Sequence, residues 1–328
     1  MSKLKADTPA LQKANVSHLQ QTEVIRPNRF LLYLRNNYML YLFLLLPTAY
    51  FLIFRYGPLY GILIAFKDYN IFQGVWASPW NNFASFKEIF SMPQFLTAVR
   101  NTFLLNGLDL LLGFPAPIIL SIILSEIYVK WFKKISQTVL YLPHFLSWVI
   151  IGSISLQLLS PESGLINNLL LKVGTTEPVP FLTEPFVWLF TYTALGIWQS
   201  VGWNTIIYLA AIAGINQELY EAAIVDGAGR LRKIWHITLP GLRPTIIILL
   251  IMQVGRMLSI GFDRPYVIGN PLVMEFSDVI STFVYRIGLQ SFQFSIATAV
   301  GLFQSVVGLI FLLTTNYIAS KVGEQGIW

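Results

Sequence analysis

The chain has 328 residues, of which 22 are Lys or Arg and 16 are Asp or Glu. Charged residues make up 12%, against roughly 25% in an ordinary soluble domain, while 55% of the chain is apolar. So few charges cannot cover a soluble fold of this size, which excludes most soluble enzymes and any disordered chain. With no cysteine there is no disulfide framework, no thiol nucleophile and no Cys-ligated metal. The net charge of +6 sits in short loops and a tail, which is the cytoplasmic bias of membrane proteins rather than a nucleic-acid surface. The expectation is an all-α integral membrane protein with no nucleic-acid partner.

A bilayer core of roughly 30 Å needs about 20 mostly apolar helical residues. Six stretches qualify: 38–56, 102–125, 135–160, 186–215, 244–262 and 292–319. Residues 1–37 are polar, lack the pattern of a cleaved signal, and read as a tail ahead of a six-span domain, 38–328. A cytoplasmic N-terminus puts fourteen Lys and Arg inside and seven outside, with Arg256 within a span, so both termini are expected in the cytoplasm. The long segments 57–101 and 161–185 then lie outside. Trp76 and Trp80 in the first of them read as interface anchors. Segment 165–171 is a short apolar run.

One inner connection, 216–242, is long. Asn216 can cap a helix with Glu218 in its first turn, and Leu219, Ala222 and Ala223 form a narrow face of mainly small residues. Gly227 and Gly229 stop that helix. The basic run 230–233 with Ile234, Trp235 and Ile237 predicts a second short helix, closed by Pro240 before the fifth span. Small residues and a Gly turn make a knob that another protein can grip.

Glu221-Ala222-Ala223, then Asp226-Gly227, then Ile237-Thr238-Leu239-Pro240 resembles the EAA loop of binding-protein-dependent ABC importer permeases. The resemblance covers the whole chain, spans and loop together. It implies a type I importer permease fold in a bacterial inner membrane. It also implies that Glu221, Ala222, Ala223, Asp226, Gly227, Ile237, Leu239 and Pro240 dock on an ATP-binding subunit. Two such subunits carrying ATP and Mg, a second permease subunit and an extracytoplasmic solute-binding protein follow as partners. Tyr56-Gly-Pro-Leu-Tyr-Gly, Phe66-Lys-Asp-Tyr-Asn, Asn101-Thr-Phe and Phe114-Pro-Ala-Pro are similar to the carbohydrate-uptake branch. The last phrase resembles permeases for acidic oligosaccharides such as alginate fragments.

No Gly-x4-Gly-Lys-Ser/Thr occurs, so the chain does not cradle ATP by itself and is not expected to be an enzyme. His18, His144 and His236 are far apart and form no catalytic set. The alternative to import is a membrane scaffold whose loop binds some other cytoplasmic protein.

Polar residues inside spans point to a path. Arg256 lies about 20 Å beyond Arg243 along the fifth span, and Asp109 about 12 Å below the outer end of the second. The two depths allow a buried pair, or allow Arg256 to meet a sugar. Asn106, Trp198, Gln199, Gln253 and Gln304 lie at comparable depth and suit an oligosaccharide path. Ala297, Gly301 and Ser305 form a small-residue stripe expected to pack closely on another helix.

Overall fold

The computed structural model describes Tyr33 and residues 36–321, so the expected tail lies almost entirely outside the described residues. These divide into two units, one ending at Tyr60 and one beginning at Gly61. In the first, α1 (Tyr38–Phe51) buries no residue and runs into a π-helical turn, Leu52–Tyr56. Its mean apolar character with no buried face is what a lipid-facing helix requires.

The second unit carries α2 (Ala84–Ser91), α3 (Pro93–Leu108), α4 (Pro115–Ser125), α5 (Lys130–Tyr141), α6 (Trp148–Leu159) and α7 (Pro185–Ala213). It continues with α8 (Gln217–Val225), α9 (Arg230–Lys233), α10 (Leu239–Gly255), α11 (Asp263–Ile268), α12 (Ile280–Tyr285) and α13 (Phe294–Lys321). The apolar run near 165 is a helix in its own right, Leu165–Val173.

Four helical stretches are long and apolar enough to cross a membrane: Tyr38–Phe66, Pro93–Ser125, Arg230–Gly255 and Phe294–Lys321. A bent pair, Lys130–Phe145 with Trp148–Leu159, makes a fifth. The expected fourth span, α7, has 29 residues and is long enough. Thr191, Tyr192, Thr193, Gln199, Ser200 and Asn204 make even its most apolar stretch more polar than those of the other long helices. The polar residues are there because α7 lies inside, against α4, α5 and α10.

Two expected spans change shape. The third is not one rod: it turns by 101° between α5 and α6. Pro143 ends the first half, and the Ser147 hydroxyl accepts the Ile150 N–H at 3.4 Å to start the second. The fifth begins at 230 rather than 244 and stops at Gly255 rather than 262. Pro240 therefore lies within the helix instead of closing a separate one. It stands two residues after the end of a π-helical turn, Ile234–Thr238, as Pro115 does after Asp109–Gly113 and Pro58 after Leu52–Tyr56. A proline ring collides with the carbonyl four residues back, and a wider turn moves that carbonyl aside.

The core has two centres. Phe95, Leu258, Phe283 and Val300 join α3, α12 and α13. Leu105, Trp188, Tyr192 and Ile268 join α3, α7 and α11. Asn101 and Thr102 pin α3 to the segment before α12: the Asn101 amide donates to the carbonyls of Glu275 and Asp278 at 2.8 and 2.9 Å, and the Thr102 hydroxyl accepts the Ile280 N–H at 3.0 Å. Lys67, buried, donates to the Val75 and Trp76 carbonyls and lies 4.9 Å from the Trp80 ring. Trp80 thus has a cation partner besides any interface role.

The small-residue stripe does not pack as expected. A Cβ on Gly301 would touch nothing within 4 Å; only Ala297 is close, against Gly288. The tight crossing of α10 and α13 lies elsewhere, where Gly255 meets Leu312 and Gly308 approaches the Gly255 carbonyl.

Candidate functional site

Asn216 opens α8: its side-chain oxygen accepts the Glu218 N–H at 3.0 Å, and its amide donates to the Glu218 carboxylate at 3.0 Å. At the other end the Ala228 N–H reaches the Ala223 carbonyl at 2.8 Å and the Gly227 N–H reaches the Ile224 carbonyl at 3.0 Å. That closure requires a left-handed residue between them, and Gly227 has φ +73°. The chain then enters α9, which continues unbroken into α10. The Tyr220 hydroxyl lies 3.0 Å from that of buried Thr238, fastening α8 to the root of this helix. The Arg230 guanidinium sits 5.4 Å from the Tyr128 ring in the neighbouring connection.

The eight loop residues divide into two sets. Glu221, Ala222, Asp226, Gly227 and Pro240 are exposed, whereas Ala223, Ile237 and Leu239 are half-buried. Around the exposed set stand Ile224, Val225 at 88% exposure, Leu231 and Trp235 at 67%. Large apolar side chains held out on a rigid, otherwise charged turn form a contact surface. Loss of the Tyr220–Thr238 bond in Tyr220→Phe should cost about 1 kcal/mol and speed hydrogen exchange of 217–225 about fivefold. Unchanged exchange would show that α8 is held without it.

Two chambers of about 300 Å³ each lie along α7, one against α4 and α10 and the other against α3, α6 and α11. One is lined by Phe114 and Pro117, by Asn204 and Tyr208, and by Leu249 and Gln253. The other is lined by Asn106, Trp148, Tyr192, Gln199, Ser259 and Asp263. Asp109, Gly196, Ser200 and Arg264 line both, so they form the partition. Along α3–α4, along α7 and along α10 the first chamber takes the residues nearer the 216–242 loop, so it is the loop-side chamber.

The expected Asp109–Arg256 pair does not form. Asp109 instead pairs with Arg264, Nη1 to Oδ2 at 2.8 Å and Nη2 to Oδ1 at 3.3 Å. The depths agree, since Asp109 and Arg256 line one chamber, but the helix ends at Gly255 and the chain beyond it supplies another partner. Residues 256–262 turn, Met257 N–H bonding to Val254 and Ser259 N–H to Arg256, and bring Arg264 back to the level of Asp109. The Arg264 Nη2 also donates to the Tyr192 carbonyl at 2.6 Å, and its guanidinium lies 3.6 Å from the Tyr192 ring. Gly196 makes room for it: a Cβ there would fall 2.3 Å from the guanidinium carbon. Arg256 lines the loop-side chamber, as Asp109 does, but the carboxylate is taken by Arg264.

A family model described as the inner-membrane component of binding-protein-dependent transport systems matches residues 113–324. The chain belongs to this family. Among its relatives, protein LplB of Bacillus subtilis (strain 168) is 45% identical over 295 residues, 90% of this permease and 92% of LplB. The polygalacturonan/rhamnogalacturonan transport system permease protein YteP of the same organism is 44% identical over 300 residues, 92% of this chain and 93% of that one. A crystal structure of a bacterial alginate ABC transporter, in complex with an alginate pentasaccharide-bound periplasmic protein, contains a similar chain. It matches with a TM-score of 0.83 and 40% identity, covering 92% of this permease and 100% of that chain. Membership in a transport family favours import over the scaffold alternative.

The permease fold sorts the remaining path residues. Asn106 and Gln199 line the outer chamber and Gln253 and Arg256 the loop-side one. Gln304 and Trp198 line neither; Gln304 donates to the Leu258 carbonyl at 2.7 Å and Trp198 faces outward. Asn106 also donates to the Met257 carbonyl at 2.9 Å, so two amides satisfy the carbonyls left free where α10 ends. Arg264, Tyr192 and Gly196 are the residues that sequence reasoning missed.

Proposed function

We propose that this chain is one of two permease subunits of an ATP-driven importer of acidic oligosaccharides in a bacterial inner membrane, with both termini cytoplasmic. The observation that carries this reading is the rigid, apolar-tipped turn of α8 in a membrane chain that has no phosphate-binding loop of its own. Two ATP-binding subunits hydrolyse ATP with Mg on the cytoplasmic side, and one of them grips α8. A solute-binding protein delivers substrate from outside, and a second permease completes the path. Uronate oligomers are the substrate class, supported by the alginate and polygalacturonan transporters to which the chain is similar.

Closure of the ATP-binding subunits moves α8, and the continuous helix from Arg230 to Gly255 carries that movement to Gln253 and Arg256 in the loop-side chamber. The chain therefore supplies a path and a lever. Co-expression with the candidate ATP-binding subunits tests it. The wild-type chain should purify with an ATPase stimulated by the loaded binding protein. Glu221→Lys, which inverts an exposed charge on the docking face, should reduce that stimulation about tenfold or more while the chain still inserts. Consistent purification without any ATPase would defeat the importer reading.

A further inference from the structure

We infer that the Asp109–Arg264 pair is an anion-exchange latch between the two chambers: a substrate carboxylate displaces Asp109 from Arg264 in order to pass. The inference rests on the importer reading above and names the residue that selects for charge.

The pair is largely shielded, with Arg264 12% and Asp109 21% exposed, and it stands where the two chambers meet. Arg264 is held by more than its carboxylate. The Tyr192 carbonyl at 2.6 Å, the Tyr192 ring at 3.6 Å and the Trp148 ring at 5.5 Å all keep the guanidinium in place when Asp109 leaves. Its Nε is buried and has no hydrogen-bond partner among the described residues, so Asp109 does not use all that the fork offers. Asp109 begins the π-helical turn 109–113, ahead of Pro115.

The energetics favour an anion. Replacing one carboxylate by another on the same guanidinium keeps its charge-assisted bonds, so only the displaced Asp109 is left without its partner. A neutral sugar offers only hydroxyls, and passing it would leave two shielded charges apart. Direction follows from the lining. The outer chamber presents Asp109, Asp263 and Arg264, one negative charge in sum, whereas the loop-side chamber presents Asp109, Arg256 and Arg264, one positive charge in sum. A uronate that has reached Arg264 is thus drawn on toward Arg256.

The test uses the complete importer in proteoliposomes, with trigalacturonate and trimannuronate as acidic probes and maltotriose as a neutral one. Wild type should take up an acidic probe and not maltotriose. Asp109→Asn with Arg264→Gln removes both charges and should assemble normally, yet uptake of the acidic probe should fall about tenfold or more, the worth of a charge-assisted contact. Full recovery of uptake in this double variant would make the pair merely structural and overturn the latch. If the double variant does not assemble, Arg264→Lys decides: it keeps a charge for Asp109 but loses the fork, so a raised KM supports the latch and an unchanged KM overturns it. Uptake of maltotriose but of neither acid would overturn the latch while leaving an importer. Uptake of no oligosaccharide would remove the importer reading and the latch with it.

Discussion

Gly227→Pro should reduce stimulated ATP hydrolysis to its unstimulated level in the reconstituted complex while leaving the membrane helices folded. Gly227 has φ +73°, and its N–H donates to the Ile224 carbonyl at 3.0 Å. Proline holds φ near −65° and has no N–H, so neither feature survives. The turn must open, the Ala228–Ala223 bond goes with it, and α8 loses its fixed angle to the helix that begins at Arg230. Gly227→Ala separates conformation from bulk. A Cβ at this position would meet nothing within 4 Å, so the only cost is the left-handed backbone, about 1–2 kcal/mol. Alanine should therefore retain part of the coupling that proline abolishes. Equal, normal stimulation in both variants would show that the angle of α8 is irrelevant to coupling.

Much of this was legible because it is local. The Asn216 cap, the Gly227 stop and the small face of α8 are each set by residues within one or two turns of one another. The bend in the third span was legible too, and was missed. Pro143 followed by Ser147 is a stop and a start, but an unbroken apolar run outweighed it. Arg264 was hidden for a different reason. Its partner Asp109 is 155 positions away, and the depth arithmetic assumed a helix that continued through 262. Once α10 ends at Gly255, rise per residue no longer measures depth, and the basic residue beyond the turn returns to the level expected for Arg256. The stripe at Ala297, Gly301 and Ser305 fails in the same way. Small residues at helical spacing state where a neighbour could approach, and only the fold states that the approach is made at Gly255 and Gly308.

Gly202→Ala should be the most damaging single-methyl change to the fold itself. An added Cβ at 202 would lie 1.9 Å from the Leu140 carbonyl oxygen and 2.5 Å from its carbon. Both are backbone atoms, so no side chain can rotate away, and α7 must part from α5. That separation costs about 1–3 kcal/mol, as overpacking usually does. It also reaches further than the crossing, because α5 leads directly to the bend at Pro143 and α7 carries Gly196 and Ser200 of the partition. Gly214→Ala in the chain just after α7 provides the comparison, since its nearest neighbours would be at 3.4 and 3.8 Å, ordinary contact. In detergent, Gly202→Ala should lower the melting temperature of the purified complex and its yield, and Gly214→Ala should change neither. Equal melting temperatures for the two would mean that α5 and α7 do not cross at Gly202 with their backbones in contact.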